Sequence, residues 1–150
     1  MLHIYGSGGS EAAIRAQAEA LGLTDSVMFY GNLPHVIHEI KDMGMFVMTS
    51  RFEGMPNALI EAMACGLTCV CTDCDFGPAE LIRDGESGLL VPVDDVAAIA
   101  AAMGRIADDP VLAEKLSRGA LEIRQTHGRK EICGQYRDYI LSVIEKRKSK

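Results

Sequence analysis

The chain has 150 residues, 48% of them apolar and 24% charged, with a formal net charge of -6. That length supports one ordinary domain with a real core, and the composition excludes disorder and fits a soluble globular protein. The acidic balance argues against a general nucleic-acid binder, which presents a basic surface.

Leu2 to Tyr5 is a short apolar run ending at Gly6 and predicts a strand. Ser10 to Leu21 carries Ala, Ile and Leu at helical spacing, with Ser10 as the N-cap candidate and Gly22 as the stop. Val27 to Tyr30 predicts a second strand, stopped by Gly31. Pro34 to Met43 predicts a helix with Val36, Ile37, Ile40 and Met43 on one face and Pro34 in its first turn. Met45 to Met48 predicts a third strand. An apolar helix follows from Asn57 to Cys65, ended by Gly66. Thr68 to Thr72 is the fourth expected strand, Pro78 to Arg83 a short helix, Asp84-Gly85 a turn, and Leu89 to Val91 the fifth strand. Helices are expected over Asp94 to Ala107, Pro110 to Thr126 and Arg129 to Lys146. Short, continuously apolar strands alternating with helices predict an α/β fold: an open, parallel, Rossmann-like sheet with helices on both faces.

Five cysteines occur, four of them within ten residues: Cys65, Cys69, Cys71 and Cys74, with Cys133 apart. An odd, crowded set does not resemble a secreted disulfide framework, so a reducing, cytoplasmic setting is expected. The spacing C-x3-C-x-C-x2-C invites a metal, but Cys69 and Cys71 fall in a buried strand, where cysteine packs as a small hydrophobe. No metal is therefore expected. Every apolar stretch is broken before it is long enough to span a bilayer. The opening M-L-H-I-Y-G lacks a basic n-region, so no signal peptide is expected. The tail groups Lys146, Arg147, Lys148 and Lys150; it reads as a solvated helix end, with peripheral membrane contact as the sharper alternative.

Ligands of open α/β sheets bind at the carboxyl ends of the strands. Three segments fall there. Gly6-Ser7-Gly8-Gly9-Ser10-Glu11 offers backbone N–H groups and a helix start, suited equally to a tight turn or an anion; Glu11 departs from the dinucleotide fingerprint. Ser50 to Asn57 leads into the Asn57 helix, where the N–H groups of Asn57, Ala58 and Leu59 are expected to face the cleft. Thr72 to Glu80 is the third, with Asp73 and Asp75 read as exposed. Among the 19 residues from Gly54 to Thr72 the only charge is Glu61. An unpaired carboxylate in an apolar helix is costly if buried. Glu61 therefore either reaches a cleft or pairs with a distant lysine or arginine.

The run E-G-M-P-N-A-L-I-E-A-M-A-C-G resembles the E-x7-E motif of the retaining GT-B-fold glycosyltransferases, the glycosyl transferases group 1. L-H-I-Y-G-S-G, V-M-F-Y-G-N-L, M-F-V-M-T-S-R-F-E-G and G-P-A-E-L-I-R-D-G-E-S-G-L-L-V-P resemble further blocks of that family, in order, and the likeness spans about residues 2 to 120. The resemblance implies the C-terminal, donor-binding domain over residues 1–150, lacking its first strand and helix, with the N-terminal acceptor-binding domain absent. That truncation implies an inactive fragment with unpaired sheet edges.

The resemblance further implies that Glu61 binds the ribose diol, and that Glu53 is the catalytic glutamate, contacting hydroxyls of the donor sugar. N–H groups from Met55 to Leu59, with Gly54 and Pro56 in the same loop, would cradle sugar and diphosphate. Gly6 and Gly8 would line the donor pocket, and Gly31 and Leu33 would lie by the base. The implied reaction is hexose transfer from a UDP-linked sugar to a saccharide or lipid-linked saccharide, with the nucleotide-sugar as substrate and no cofactor. The aromatic residue before Gly77-Pro78 is similar to enzymes of bacterial surface polysaccharide and lipopolysaccharide assembly, a hint about sugar and acceptor; the expected setting is cytoplasmic, with the inner face of the membrane as the alternative. Alternatives are a nucleotide-sugar-binding or interaction module without catalysis, or a sugar-nucleotide epimerase of similar fold. A glycosidase pair is disfavoured because Glu61 lies on a helix otherwise built like a core element.

Overall fold

Two compact units make up the chain, one from Met1 to Glu39 and one from Ile40 onward. The computed structural model describes residues 1–148, so the predicted role of Lys150 lies outside the described residues. In the first unit, β1 (Leu2–Tyr5) pairs in parallel with β2 (Val27–Gly31), with Leu2 opposite Val27 and Ile4 opposite Phe29. Helix α1 (Glu11–Ala20) makes the crossover, and its Arg15 guanidinium lies 4.0 Å from the centroid of the Phe29 ring. Alternation along the strands turns His3, Tyr5 and Tyr30 to one face, where their rings stack at 5.4 and 4.9 Å. Ser10 occupies the N-cap of α1 as expected but makes no side-chain capping bond.

The helix predicted over Pro34 to Met43 shrinks to one turn, α2 (Ile37–Ile40). His35 adopts φ +60, a left-handed conformation that a right-handed helix cannot include. The division between the two units also falls inside this stretch.

The second unit holds a parallel sheet in the order β3 (Met45–Met48), β4 (Thr68–Thr72), β5 (Leu89–Val91). Every residue of β4 is buried, which requires cover on both faces. Helices α3 (Asn57–Cys65), α5 (Val96–Asp108) and α6 (Pro110–Ala120) supply that cover, with short α4 (Pro78–Leu81) between β4 and β5. Val70, Leu89 and Val91 pack with Ala102, Ile106 and Leu116 as one cluster. Cys69 and Cys71 are fully buried in β4, as the packing reading expects. The five strands thus pair in two sets, two and three, rather than in one continuous ladder.

The single helix expected over Pro110 to Thr126 is two, α6 and α7 (Ile123–Thr126). Tertiary bonds override the helical pattern here. Ser117 Oγ donates to the Gly66 carbonyl at 2.7 Å, and Arg124 Nε donates to the Ala64 carbonyl at 2.7 Å. These satisfy carbonyls that the C-terminus of α3 leaves open. Gly66 itself is left-handed, φ +80, and ends α3 as predicted. Helix α8 (Arg129–Lys148) runs slightly longer than expected and leaves Tyr136, Tyr139, Ile140 and Leu141 exposed.

Candidate functional site

All strands in each unit are parallel, so their carboxyl ends share an edge within that unit. In the first unit that edge brings the β1 and β2 loops together. Gly6, at φ +117, donates its N–H to the Gly31 carbonyl at 2.7 Å, and Gly31 has φ +65. Asn32 Nδ2 donates to Ser7 Oγ at 2.7 Å. Gly6 and Gly31 thus meet directly. Gly8 continues into the first turn of α1 by accepting from Glu11 N at 3.1 Å, and Leu33 is exposed.

The second unit carries the two glutamates. Glu53 is half-buried on the loop after β3, and Ser50 Oγ donates to its Oε1 at 2.6 Å. That length is typical of a hydroxyl donating to an ionised carboxylate. Arg51 points away to Asp94, with Nε 2.8 Å from Oδ1. Asp94 holds φ +62, an uncommon backbone for a residue other than glycine. Glu61 is exposed on α3 and has no hydrogen bond or ion pair among the described residues. It shares its helix face with exposed Asn57 and Ala58, at i-4 and i-3, while Leu59, Ala62 and Met63 turn inward. The buried, costly charge that the apolar run suggested is therefore not buried. Among the described residues it pairs with no distant lysine or arginine either.

The start of α3 corrects another expectation. Asn57 N donates to the Met55 carbonyl at 2.9 Å, and Leu59 N donates to the Pro56 carbonyl at 3.0 Å. Pro56 has no N–H to give. Of the expected cradle from Met55 to Leu59, only the N–H groups of Met55 and Ala58 lack a backbone acceptor among the described residues. The physical reason is that the loop closes a tight turn on itself before the helix starts.

Sequence reasoning placed Thr72 and Gly77 in the third candidate segment but gave neither a part in fixing this loop. Thr72 Oγ1, at the buried end of β4, donates to the Ser50 carbonyl at 2.5 Å. Gly77, at φ +126, lies so close to the β3 loop that a Cβ there would sit 2.8 Å from Pro56 Cδ and 3.2 Å from the Gly54 carbonyl oxygen. Phe76 beside it holds φ +60 and is 74% exposed. Asp73 and Asp75 are exposed, as expected. The readable signal was Gly-Pro in the connection between β4 and α4, which marks a turn. An open groove of about 600 Å³ runs beside this loop, lined by Met55, Asn57 and Ile60 with Ile132, Tyr136 and Tyr139 of α8. Among the described residues no cluster of histidine, cysteine and carboxylate groups is arranged to hold a metal. No described helix is long and apolar enough to cross a membrane.

The family profile described as glycosyl transferases group 1 matches residues 1–122. A lipopolysaccharide 1,6-galactosyltransferase of Salmonella typhimurium is 37% identical over 93 residues, covering 59% of this chain and 26% of that protein. A protein of Streptomyces coelicolor described as an exopolysaccharide phosphotransferase is 33% identical over 147 residues, covering 97% of this chain and 16% of that one. The solved structure of S. aureus TarM, in complex with fondaparinux, alpha-GlcNAc-glycerol and UDP, is 26% identical with a TM-score of 0.83, covering 91% of this chain and 28% of that chain. The chain therefore spans less than a third of the length of each of these three.

Proposed function

We propose, from the premise that this chain belongs to the glycosyl transferases group 1 family and has the fold of GT-B glycosyltransferases, that its second unit carries the nucleotide-sugar side of a retaining transfer. The donor is a UDP-linked hexose and the acceptor a saccharide or lipid-linked saccharide of a bacterial surface polymer. Glu61 accepts two hydrogen bonds from the ribose diol. Glu53 accepts from hydroxyls of the donor sugar. The Ala58 N–H and the start of α3 meet the diphosphate, where negative charge grows as the sugar leaves. Gly6, Gly8, Gly31 and Leu33, on the β1 and β2 loops of the first unit, are donor-binding residues by the family resemblance alone. The nucleotide-sugar is a substrate, and the chemistry calls for no cofactor. An acceptor-binding domain is the further partner that transfer requires, and a cytoplasmic setting supplies nucleotide-sugars.

One observation carries this reading. Glu61 is an exposed carboxylate without a protein partner among the described residues, one turn after Asn57 and the Ala58 N–H, which has no backbone acceptor among them. The fold does not need that charge, but a diol would use it. The Streptomyces relative favours a second reading, a nucleotide-sugar-binding module inside a longer protein of other chemistry.

A thermal-shift panel of UDP-, GDP-, ADP- and TDP-sugars tests the donor site. Ligand at about 100 times Kd stabilises by about 2.7 kcal/mol, which for a chain this size raises Tm by about 5–10 °C. Glu61→Ala is expected to abolish most of that shift while leaving the unliganded Tm unchanged. No shift from any donor refutes the site. Turnover with and without an added acceptor domain separates the enzyme from the binding module.

A further inference from the structure

We infer that Ser50 is a positioning residue for Glu53, and that it sets recognition of the donor sugar separately from recognition of the nucleotide. The inference rests on the donor-site reading above. Thr72 is 1% exposed at the end of the central strand, and the next N–H, that of Asp73, donates to the Val91 carbonyl at 2.7 Å. This end of β4 is therefore locked to β5. From it, Thr72 Oγ1 reaches the Ser50 carbonyl at 2.5 Å, which fixes the Ser50 backbone to the sheet. The Ser50 hydroxyl then holds Glu53 Oε1 at 2.6 Å. Strand, threonine, serine and carboxylate form one chain of contacts from the rigid core to the loop.

That chain leaves Glu53 Oε2 without a hydrogen-bond partner among the described residues. A hydroxyl donor also fixes the carboxylate without neutralising it. The adjacent cation would neutralise it, but Arg51 is held by Asp94 at 2.8 Å. Glu53 is thus orientated, charged and half open, which suits acceptance of hydrogen bonds from vicinal sugar hydroxyls. Pre-orientation matters because a loop carboxylate free to rotate must be ordered when the sugar binds.

The test is calorimetric titration of the 150-residue chain with UDP, GDP, ADP and TDP and with the glucose, galactose and N-acetylglucosamine conjugates of each. The parent binds its preferred nucleotide-sugar more tightly than the matching nucleoside diphosphate. Ser50→Ala lowers the nucleotide-sugar affinity about tenfold and changes the nucleoside diphosphate affinity less than about twofold, in keeping with loss of one hydrogen bond to a charged group. Ser50→Thr, which keeps the hydroxyl, restores the preference to within about threefold. Equal losses for both ligands, no loss, or failure of Ser50→Thr to restore the preference overturn the inference while leaving the donor site standing. A parent that binds nucleoside diphosphate without any sugar preference also overturns it. A parent that binds none of the ligands overturns the donor-site reading, and the inference falls with it.

Discussion

Replacing Gly77 with alanine tests whether the β4 loop truly rests on the Glu53 loop. Two costs arise together. The backbone at Gly77, φ 126 and ψ -76, is closed to L side chains, a strain of about 1–3 kcal/mol. The added Cβ would also fall 2.8 Å from Pro56 Cδ, an atom of a ring that cannot swing aside. Overpacking of that kind costs about 1–3 kcal/mol. Gly85 separates the two terms, because it has φ +71 but nothing within 4 Å of its Cβ position. Gly85→Ala should lose only the backbone term, about 1–2 kcal/mol. Urea denaturation followed by circular dichroism reads both. With a slope of about 1–3 kcal/mol/M, Gly77→Ala should lower the midpoint by about 1–2 M and Gly85→Ala by about half as much. Equal shifts would refute the contact with Pro56. If the contact stands, Gly77→Ala also displaces Gly54 to Pro56 and weakens nucleotide-sugar binding.

Asp109 caps α6 by accepting from Val111 N and Leu112 N, both at 3.0 Å. Asp109→Ala should cost about 1 kcal/mol, read as a Tm about 2–4 °C lower. Gly119→Ala would gain about 1 kcal/mol of helix propensity, but its Cβ would overlap the Glu86 carbonyl oxygen, so a net loss is expected. Gly104→Ala, in α5 with open space around it, should instead raise Tm, and the same sign for both would refute the contact. Burial pushes the Cys69 thiol from 9.0 up to about 12, and burial with neighbouring thiols raises Cys71 further. Folded thiols therefore keep protons that unfolded ones release above pH 9. This contribution to stability is full below pH 9 and falls as pH rises toward 12. Urea midpoints at pH 8 and 10.5 check the sign. At pH 8, Ellman's reagent should label exposed Cys133 and leave Cys69 and Cys71 until urea is added.

Much of the second unit was legible in the sequence. The apolar runs gave β3, β4 and β5 with their observed bounds, and Asn57 to Cys65 gave α3, because strand burial and helix stops at glycine are local signals. The failures have a tertiary cause. Nothing local says that Ser117 and Arg124 bond to the end of α3 and divide one predicted helix into two. Nothing local puts His35 in a left-handed conformation, so the periodicity of Val36, Ile37, Ile40 and Met43 promised more helix than forms. The candidate site residues came from their motif, which says nothing of what holds them. Ser50, Asp94 and Gly77 come from loops after three different strands and Thr72 from the end of β4, and only the sheet brings them together.

Glu61 shows how a site proposal can start from a premise about burial that the structure does not bear out. The apolar run around it suggested a charge under burial stress, yet the 3.6-residue period turns it outward while Leu59, Ala62 and Met63 face the core. An exposed carboxylate incurs little desolvation cost and requires no partner. It follows that the surrounding hydrophobicity belongs to α3 as a core helix and carries no information about Glu61. The informative feature is narrower. A helix whose first turn has spent its Asn57 and Leu59 N–H groups on its own loop still leaves one free donor, Ala58, on the face of its one carboxylate. A donor and an acceptor within one turn of the same helix suit a ligand with an anionic part and a hydroxylated part. A diphosphate joined to a ribose has both, whereas a simple anion would be repelled by Glu61.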